Sequence, residues 1–189
     1  MGNEISCERT SGVRSRRERG TLIRAARIED SWSIAETQVE AWRHTYVGQI
    51  PAEYLASLSV PVREAAWREL FGDANHCILV AEESGVTQGF VSLGPSRDED
   101  AEPESTGEVY AIYLRPGHQG RGLGSGLWRE AMKVFKERGL SAITVWVLDS
   151  NSTARKFYES RGCFLDGAIK GGSIRGKGLV EVRYRYDLR

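Results

Sequence analysis

A mixed-sheet α/β domain is what this sequence predicts, on three observations. Apolar runs with the two-residue period of strands alternate with segments of helical period, in the order β-ααα-ββ-β-α-β-α-ββ. Two of the strand-like runs, residues 107–114 and 142–148, are apolar on both faces, as central strands covered on both sides must be. The 189 residues suit one domain, long enough to bury most of its apolar surface in a single core.

The elements follow in order. Residues 1–20 are polar, carry Gly2, Gly12 and Gly20, and cluster Arg14, Arg16, Arg17 and Arg19. Too little apolar surface is present to offset the ordering entropy, so the segment reads as a disordered tail ahead of a domain spanning 21–189. Met1 to Ser6 fit the loose N-myristoylation pattern, and Cys7 stands where a second lipid could attach. Residues 22–25 form a short first strand. Asp30 or Ser31 caps a helix carrying Ile34, Val39, Trp42 and Tyr46, which Gly48 ends. Pro51 suits the first turn of a short helix over 52–58, and Pro61 opens another through Phe71. Strands 77–83 and 87–93 are joined by a turn at Ser84-Gly85. The acidic stretch from Asp98 to Glu104 reads as a solvated loop. In the strand 107–114, strict alternation puts Val109, Ala111 and Tyr113 on one face and Tyr110, Ile112 and Leu114 on the other. Leu123, Leu127, Ala131 and Phe135 recur every four residues on the next helix, which Gly139 stops. The strand 142–148, a short helix over 152–160 ending at Gly162, and a last strand with Val180, Val182, Tyr184, Tyr186 and Leu188 on one face complete the chain. That last strand, if exposed, offers an edge for pairing across a homodimer.

Composition narrows the function. Hydrophobic residues make up 40% and charged residues 28%, a soluble globular balance, and the formal net charge is zero. Neither a nucleic-acid partner nor stable membrane association is expected from such a surface. No apolar run approaches the about 18 residues of a membrane span, and no secretory signal opens the sequence, which points to the cytoplasm. Cys7, Cys77 and Cys163 are odd in number and far apart, so reduced thiols are expected, with Cys77 in an apolar core run. His44, His76 and His118 lack metal-ligand spacing, and no metal is expected.

The most informative stretch lies between the strand 107–114 and the helix after it. Gly120, Gly122, Gly124 and Gly126 alternate with other residues over the helix start. Amides in the first turn of a helix have no intrahelical partner and sit at the positive end of the dipole. Without Cβ atoms, an anion can approach that backbone closely, and Arg121 adds a full charge. A pyrophosphate is the natural ligand. No Gly-Lys-Ser/Thr closes the loop, which excludes a P-loop, and the dinucleotide fingerprint fails at Ser125 and Leu127. A purely structural turn would not need so many glycines, each costing about 1 kcal/mol relative to Ala in a helix interior.

Gln119-x-x-Gly122-x-Gly124 resembles the acetyl-CoA signature of the GNAT N-acetyltransferases. Residues 108–116 (EVYAIYLRP) resemble that family's fourth strand, and Asn151-x-x-Ala154-x-x-Phe157-Tyr158-Glu159-x-x-Gly162 its second cofactor element. Three motifs in order make the resemblance specific, and it covers about residues 22–189. One departure is Cys163, where the family usually has Phe directly after the glycine. The resemblance implies a single-domain, mostly antiparallel sheet of six or seven strands whose central strands splay apart to admit pantetheine. It implies acetyl-CoA as cosubstrate, with no metal. Ile112, Tyr113 and Leu114 would line the pantetheine and polarise the thioester carbonyl. The backbone of Gln119, Gly120, Arg121, Gly122, Leu123, Gly124 and Ser125 would hold the pyrophosphate, and Asn151 and Ala154 would meet the cofactor arm.

The chemistry so implied is attack of an amine on a thioester within a ternary complex. An alkyl amine of pKa about 10.4 is neutral in only about 1 molecule in 2,500 at pH 7, a cost of roughly 4.6 kcal/mol. A base is therefore useful, and Glu108 beside the splay is the candidate, acting through water. Tyr158 is the candidate acid for the departing thiolate. Trp42 and Tyr46, one helical turn apart, and Trp146 on the following strand are the candidate acceptor-binding residues. The acceptor would be a small-molecule amine or a peptide or protein amine. The competing reading is a catalytically silent acyl-CoA-binding sensor.

Overall fold

The computed structural model describes residues 16–18, 20–102 and 104–188. In chain order the elements are β1 (Arg16–Glu18), β2 (Thr21–Ala25), α1 (Ser31–Thr45), α2 (Ala52–Ser57), α3 (Val60–Leu70), β3 (Cys77–Glu83), β4 (Val86–Pro95), β5 (Thr106–Leu114), α4 (Leu123–Glu137), β6 (Ala142–Leu148), α5 (Ser152–Glu159), β7 (Phe164–Ile174) and β8 (Lys177–Asp187). The strands form one sheet in the order β1-β2-β3-β4-β5-β6-β8-β7. Every pairing is antiparallel except β5 with β6, and that parallel pair is joined by the α4 crossover that such a connection requires. Seven strands match the sequence reading. The eighth, β1, pairs with β2 inside the stretch read as tail, so that part belongs to the sheet. Met1 to Ser6 and Cys7, with the lipidation pattern, lie outside the described residues.

The sheet is covered on both faces. On one side α4 and α5 pack over the largest core cluster, into which Leu127, Ala131 and Phe135 go with no exposed surface. Burying a Leu or Phe side chain fully is worth about 1.5–3 kcal/mol, so the apolar stripe of α4 fixes this helix on the sheet. On the other side α1, α2 and α3 cover two smaller clusters, one around Trp67 and Phe90, the other around Val39, Tyr46 and Ile50. Trp67 stacks edge-on against Phe90 at 5.1 Å.

Four expectations need correcting. Alternation along β5 is broken: Leu93 pairs with Val109 but Ser92 with Ala111, leaving Tyr110 as the extra residue of a bulge. Val109 therefore shares the α4 face with Ile112 and Leu114, while Ala111 and Tyr113 face α1. The last strand is not an edge, because β8 is inserted between β6 and β7, and β7 takes the edge. The acidic stretch is not simply solvated, since Asp98 and Asp100 bind Arg183 across the sheet. Cys77 is buried in the core as read, yet it is disulfide-bonded instead of reduced, whereas Cys163 is free and buried.

Candidate active site

The bulge at Tyr110 ends the contact between β5 and β6. The two strands pair only over Thr106–Glu108 and Ala142–Thr144, although β5 runs on to Leu114 and β6 to Leu148. Ile112, Tyr113 and Leu114 thus stay bonded to β4 on one side and face a gap on the other. Backbone groups turned toward that gap have no partner strand, which makes them available to an extended ligand.

The glycine-rich loop opens beside the gap. Gly122 is the residue before α4, with φ +92°, a left-handed value that favours glycine, and a Cβ there would meet nothing within 4 Å. The first helical bond of α4 runs from the Gly126 amide to the Gly122 carbonyl at 2.9 Å, so the amides just ahead of it point outward unpaired. Not every glycine serves this opening. A Cβ on Gly126 would stand 2.7 Å from Ile23 Cδ1, and one on Gly124 would stand 3.3 Å from the Phe157 ring. Those two let α4 approach its neighbours. The Gln119 side chain turns back onto the loop, its Oε1 accepting from the Gly117 amide at 3.1 Å. Arg121 lies 3.9 Å from Glu83.

At the splay, phenols meet from opposite faces of the sheet. Tyr46 and Tyr113 approach from the α1 side, with hydroxyl oxygens 3.5 Å apart. Tyr158 comes from the α5 side, 6% exposed in the main core, and close enough for its charge state to be felt by both. Burial pushes all three phenols above their ordinary range, so each is protonated at neutral pH. Among the described residues Tyr158 makes no side-chain hydrogen bond, leaving its hydroxyl for a ligand. Asn151 caps α5 by accepting from the Ala154 amide at 3.1 Å. That amide is thereby taken, so Ala154 can touch a cofactor arm only through its methyl group. Burial pushes the Cys163 thiol up to about 12, which keeps it protonated.

Glu108 sits beside the splay as expected, but its contacts do not suit a base. It is 1% exposed, and its carboxylate accepts from the Arg97 amide (3.0 Å), Nε (3.0 Å) and Nη2 (2.5 Å). A carboxylate engaged by a guanidinium and a backbone amide is held in place as part of the structure. Arg97 in turn lies 4.2 Å over the Tyr110 ring, so the pair clamps the bulge.

Of the three residues read as acceptor contacts, the structure brings two together. Trp42 and Tyr46 stack edge-on at 5.2 Å, and Tyr54 and Tyr113 complete an aromatic group at 6.4 and 6.3 Å from Trp42. Trp146 lies on the same sheet face two residues before Leu148, which packs in that group, but its ring is engaged elsewhere. Its Nε1 donates to Asp98 at 2.9 Å, and Lys170 stands 4.1 Å over it. Arg183, paired in register with Trp146, is held by Asp98 (3.1 Å), Asp100 (2.6 Å) and Asp166 (2.7 Å). The loop after α1 is bridged to the far side of the splay by Ser150 to Gln49 (2.8 Å) and Lys177 to the Gly48 carbonyl (2.7 Å).

This geometry has known counterparts. The sequence model of the Acetyltransferase (GNAT) family matches residues 35–163. The chain belongs to that family. It is 37% identical over 131 residues to the uncharacterized N-acetyltransferase YuaI of Bacillus subtilis, covering 68% of this chain and 72% of that one. With the spermidine N(1)-acetyltransferase of Thermoplasma acidophilum it shares 26% over 148 residues, 74% of this chain and 86% of the relative. Some other curated relatives are matched over less than two thirds of their length, one from Methanocaldococcus jannaschii over 41%. Among solved structures, yncA from Salmonella typhimurium with its cofactor acetyl-CoA superposes with a TM-score of 0.70, 25% identity, over 89% of this chain and 94% of that one.

Several residues of this acetyltransferase's site escape sequence reading. Arg97, Asp98, Asp166 and Arg183 carry no local motif, and their partners lie as far as 85 positions away. Arg183 alternates with Glu181, Arg185 and Asp187 on the charged face of the last strand, so nothing local singles it out. Arg161, whose Nη2 donates to Ser125 Oγ in the first turn of α4, was equally hidden.

Proposed function

We propose that this acetyltransferase moves an acetyl group from acetyl-CoA directly to a primary amine in a ternary complex. The observation that carries the proposal is the hydroxyl contact of Tyr46 and Tyr113 beside the unpaired edge of β5, with protonated Tyr158 approaching from the α5 face and the open amides of the glycine-rich loop following that edge. The loop from Gln119 to Ser125 suits the pyrophosphate, and the unpaired edge of Ile112, Tyr113 and Leu114 suits the pantetheine and the thioester carbonyl. Asn151 fixes the start of α5 and thereby the position of Tyr158.

Direct attack is favoured because the thiol nearest to Tyr158, Cys163, is buried and protonated, unsuited to carrying the acetyl group as a covalent intermediate. The amine enters from the α1–α2 side, past Trp42 and Tyr46. Its nitrogen attacks the carbonyl carbon, the C–S bond breaks, and the phenol of Tyr158 supplies the proton to the leaving sulfur. Glu108 is assigned the clamping of Arg97 and the bulge, and the amine proton leaves through water in the cleft. Relatives described as a spermidine acetyltransferase and an L-amino acid N-acyltransferase make a small amine the first acceptor class to try.

The test is calorimetric binding of acetyl-CoA together with CoA release over a panel of polyamines, amino acids and N-terminal peptides. Saturable binding with amine-dependent release is the expected result. Binding without release on any amine would favour a sensor, and absence of binding would remove the assignment of the loop.

A further inference from the structure

Arg161 stands just after α5, at an unspecified position of the second cofactor element, and no role has been given to it above. Its guanidinium carbon lies 4.5 Å over the Phe157 ring. One terminal nitrogen donates to Ser125 Oγ at the start of α4, the other to Ser160 Oγ at 3.2 Å. The ring beneath it is the one that a Cβ on Gly124 would approach to 3.3 Å, so the cation rests directly against the glycine-rich loop.

The neighbouring arginines are neutralised and Arg161 is not. Arg155 pairs with Asp149, Arg183 with three aspartates, and Arg121 lies within reach of Glu83. Among the described residues no carboxylate lies within ion-pair distance of Arg161. Its Nε is buried and has no hydrogen-bond partner, so most of its five donors have no acceptor among the described residues. A guanidinium pre-positioned by stacking, linked to an anion-binding loop and lacking a counter-charge suits a phosphate.

We infer that Arg161 is a specificity-determining residue that binds a phosphate of the acetyl donor's nucleotide, adding a side-chain charge to the backbone cradle of the loop. The inference rests on the acetyl-CoA reading above. Two phosphates share this chemistry, the pyrophosphate bridge and the 3′-phosphomonoester of the adenosine.

Calorimetry of acetyl-CoA and of 3′-dephospho-acetyl-CoA on the intact protein and on Arg161→Gln, Arg161→Lys and Ser125→Ala separates the possibilities. Arg161→Gln is expected to weaken acetyl-CoA binding by about tenfold or more, the scale of a charge-assisted hydrogen bond, with Arg161→Lys keeping part of the affinity and the melting temperature little changed. Disappearance of the wild-type advantage with the dephospho compound assigns Arg161 to the 3′-phosphate, and its persistence assigns it to the pyrophosphate. Unchanged acetyl-CoA affinity in Arg161→Gln would overturn the inference while leaving the acetyltransferase intact. So would an equal loss in Ser125→Ala, which would make Arg161 a tether for the loop. Failure of the wild-type protein to bind acetyl-CoA at all would overturn both readings together.

Discussion

On the α4–α5 side of the splay the protein presents backbone amides, open space and an arginine without a counter-charge. On the α1–α2 side it presents side chains already paired with one another, Arg97 with Glu108 and Arg183 with Asp98, Asp100 and Asp166. The first region leaves unpaired amides and open space at the start of α4, features that suit an anion. The second has satisfied its own charges, and beside them lie aromatic rings and the phenols of Tyr46 and Tyr113. A charged donor and a neutral amine nucleophile call for this division, since an amine must shed its proton before it attacks. Under the proposed acetyl transfer, the contrast is between a donor side shaped by backbone conformation and an acceptor side braced by long-range ion pairs.

Breaking the chemistry between the two regions gives the largest expected effect. Tyr158→Phe should lower kcat by about 100-fold or more, the usual scale for losing a general acid. Acetyl-CoA affinity and melting temperature should hold, because the hydroxyl bonds to no described protein group. An affinity loss of the same size would make Tyr158 a packing residue.

Next comes the acceptor wall. Arg183→Gln leaves Asp98 and Asp166 facing each other with side chains only 15% and 12% exposed. Denaturant titration should show a stability loss of about 3 kcal/mol, as for breaking a buried ion pair. A change below about 0.5 kcal/mol would show the network to be a surface feature. Donor affinity should be the same as in the wild type, which keeps the two regions distinct.

On the donor side, Gly122→Ala puts a Cβ at φ +92° and a methyl into the open space over the loop. The strain alone is about 1–2 kcal/mol, and acetyl-CoA binding should weaken by about tenfold, with acceptor KM unmoved. Glu108→Gln sharpens the comparison from the other side. If Glu108 clamps Arg97, kcat changes by less than about 100-fold and keeps its pH profile, whereas loss of a base would remove a limb of that profile.

The smallest effect lies away from both regions. Burial opposes ionisation of Asp30, but the Arg24 guanidinium and the Arg27 amide outweigh it and hold the carboxyl below its ordinary value. A carboxylate depressed in the folded state contributes stability above its unfolded pKa and loses it as pH falls through the folded value. Asp30→Asn should therefore lower stability modestly at neutral pH and flatten its decline below about pH 4, so that variant and wild type converge in acid.

Legibility followed the same division. The conformation of the glycine-rich loop is legible because consecutive residues carry it, with glycine spacing and a helix start acting without reference to the rest of the chain. Leu123, Leu127, Ala131 and Phe135 went to the core for a similarly local reason, the helical period. Tyr158 and Asn151 were found by their motif, though the motif could not show that the Ala154 amide would be consumed by the Asn151 cap. Glu108 was located correctly and its neighbour was not foreseen: Arg97 lies 11 positions back and reaches it only because β4 turns beside β5. Trp146 was placed on the correct strand, while the ring's engagement by Asp98 and Lys170 depends on how the loop after β4 and the edge strand β7 fold back.

What the sequence by itself determined is the alternation of elements, the main apolar stripes, and the glycine-rich loop with its family signature, all properties carried by near neighbours along the chain. Only the tertiary structure decided that Tyr110 bulges and opens the splay, that β8 inserts inside β7, that Arg183 gathers three aspartates, and that the Tyr46 and Tyr113 hydroxyls meet. Each of these depends on register and on contacts between distant segments, where many pairings satisfy the same local pattern and only the packed whole selects one.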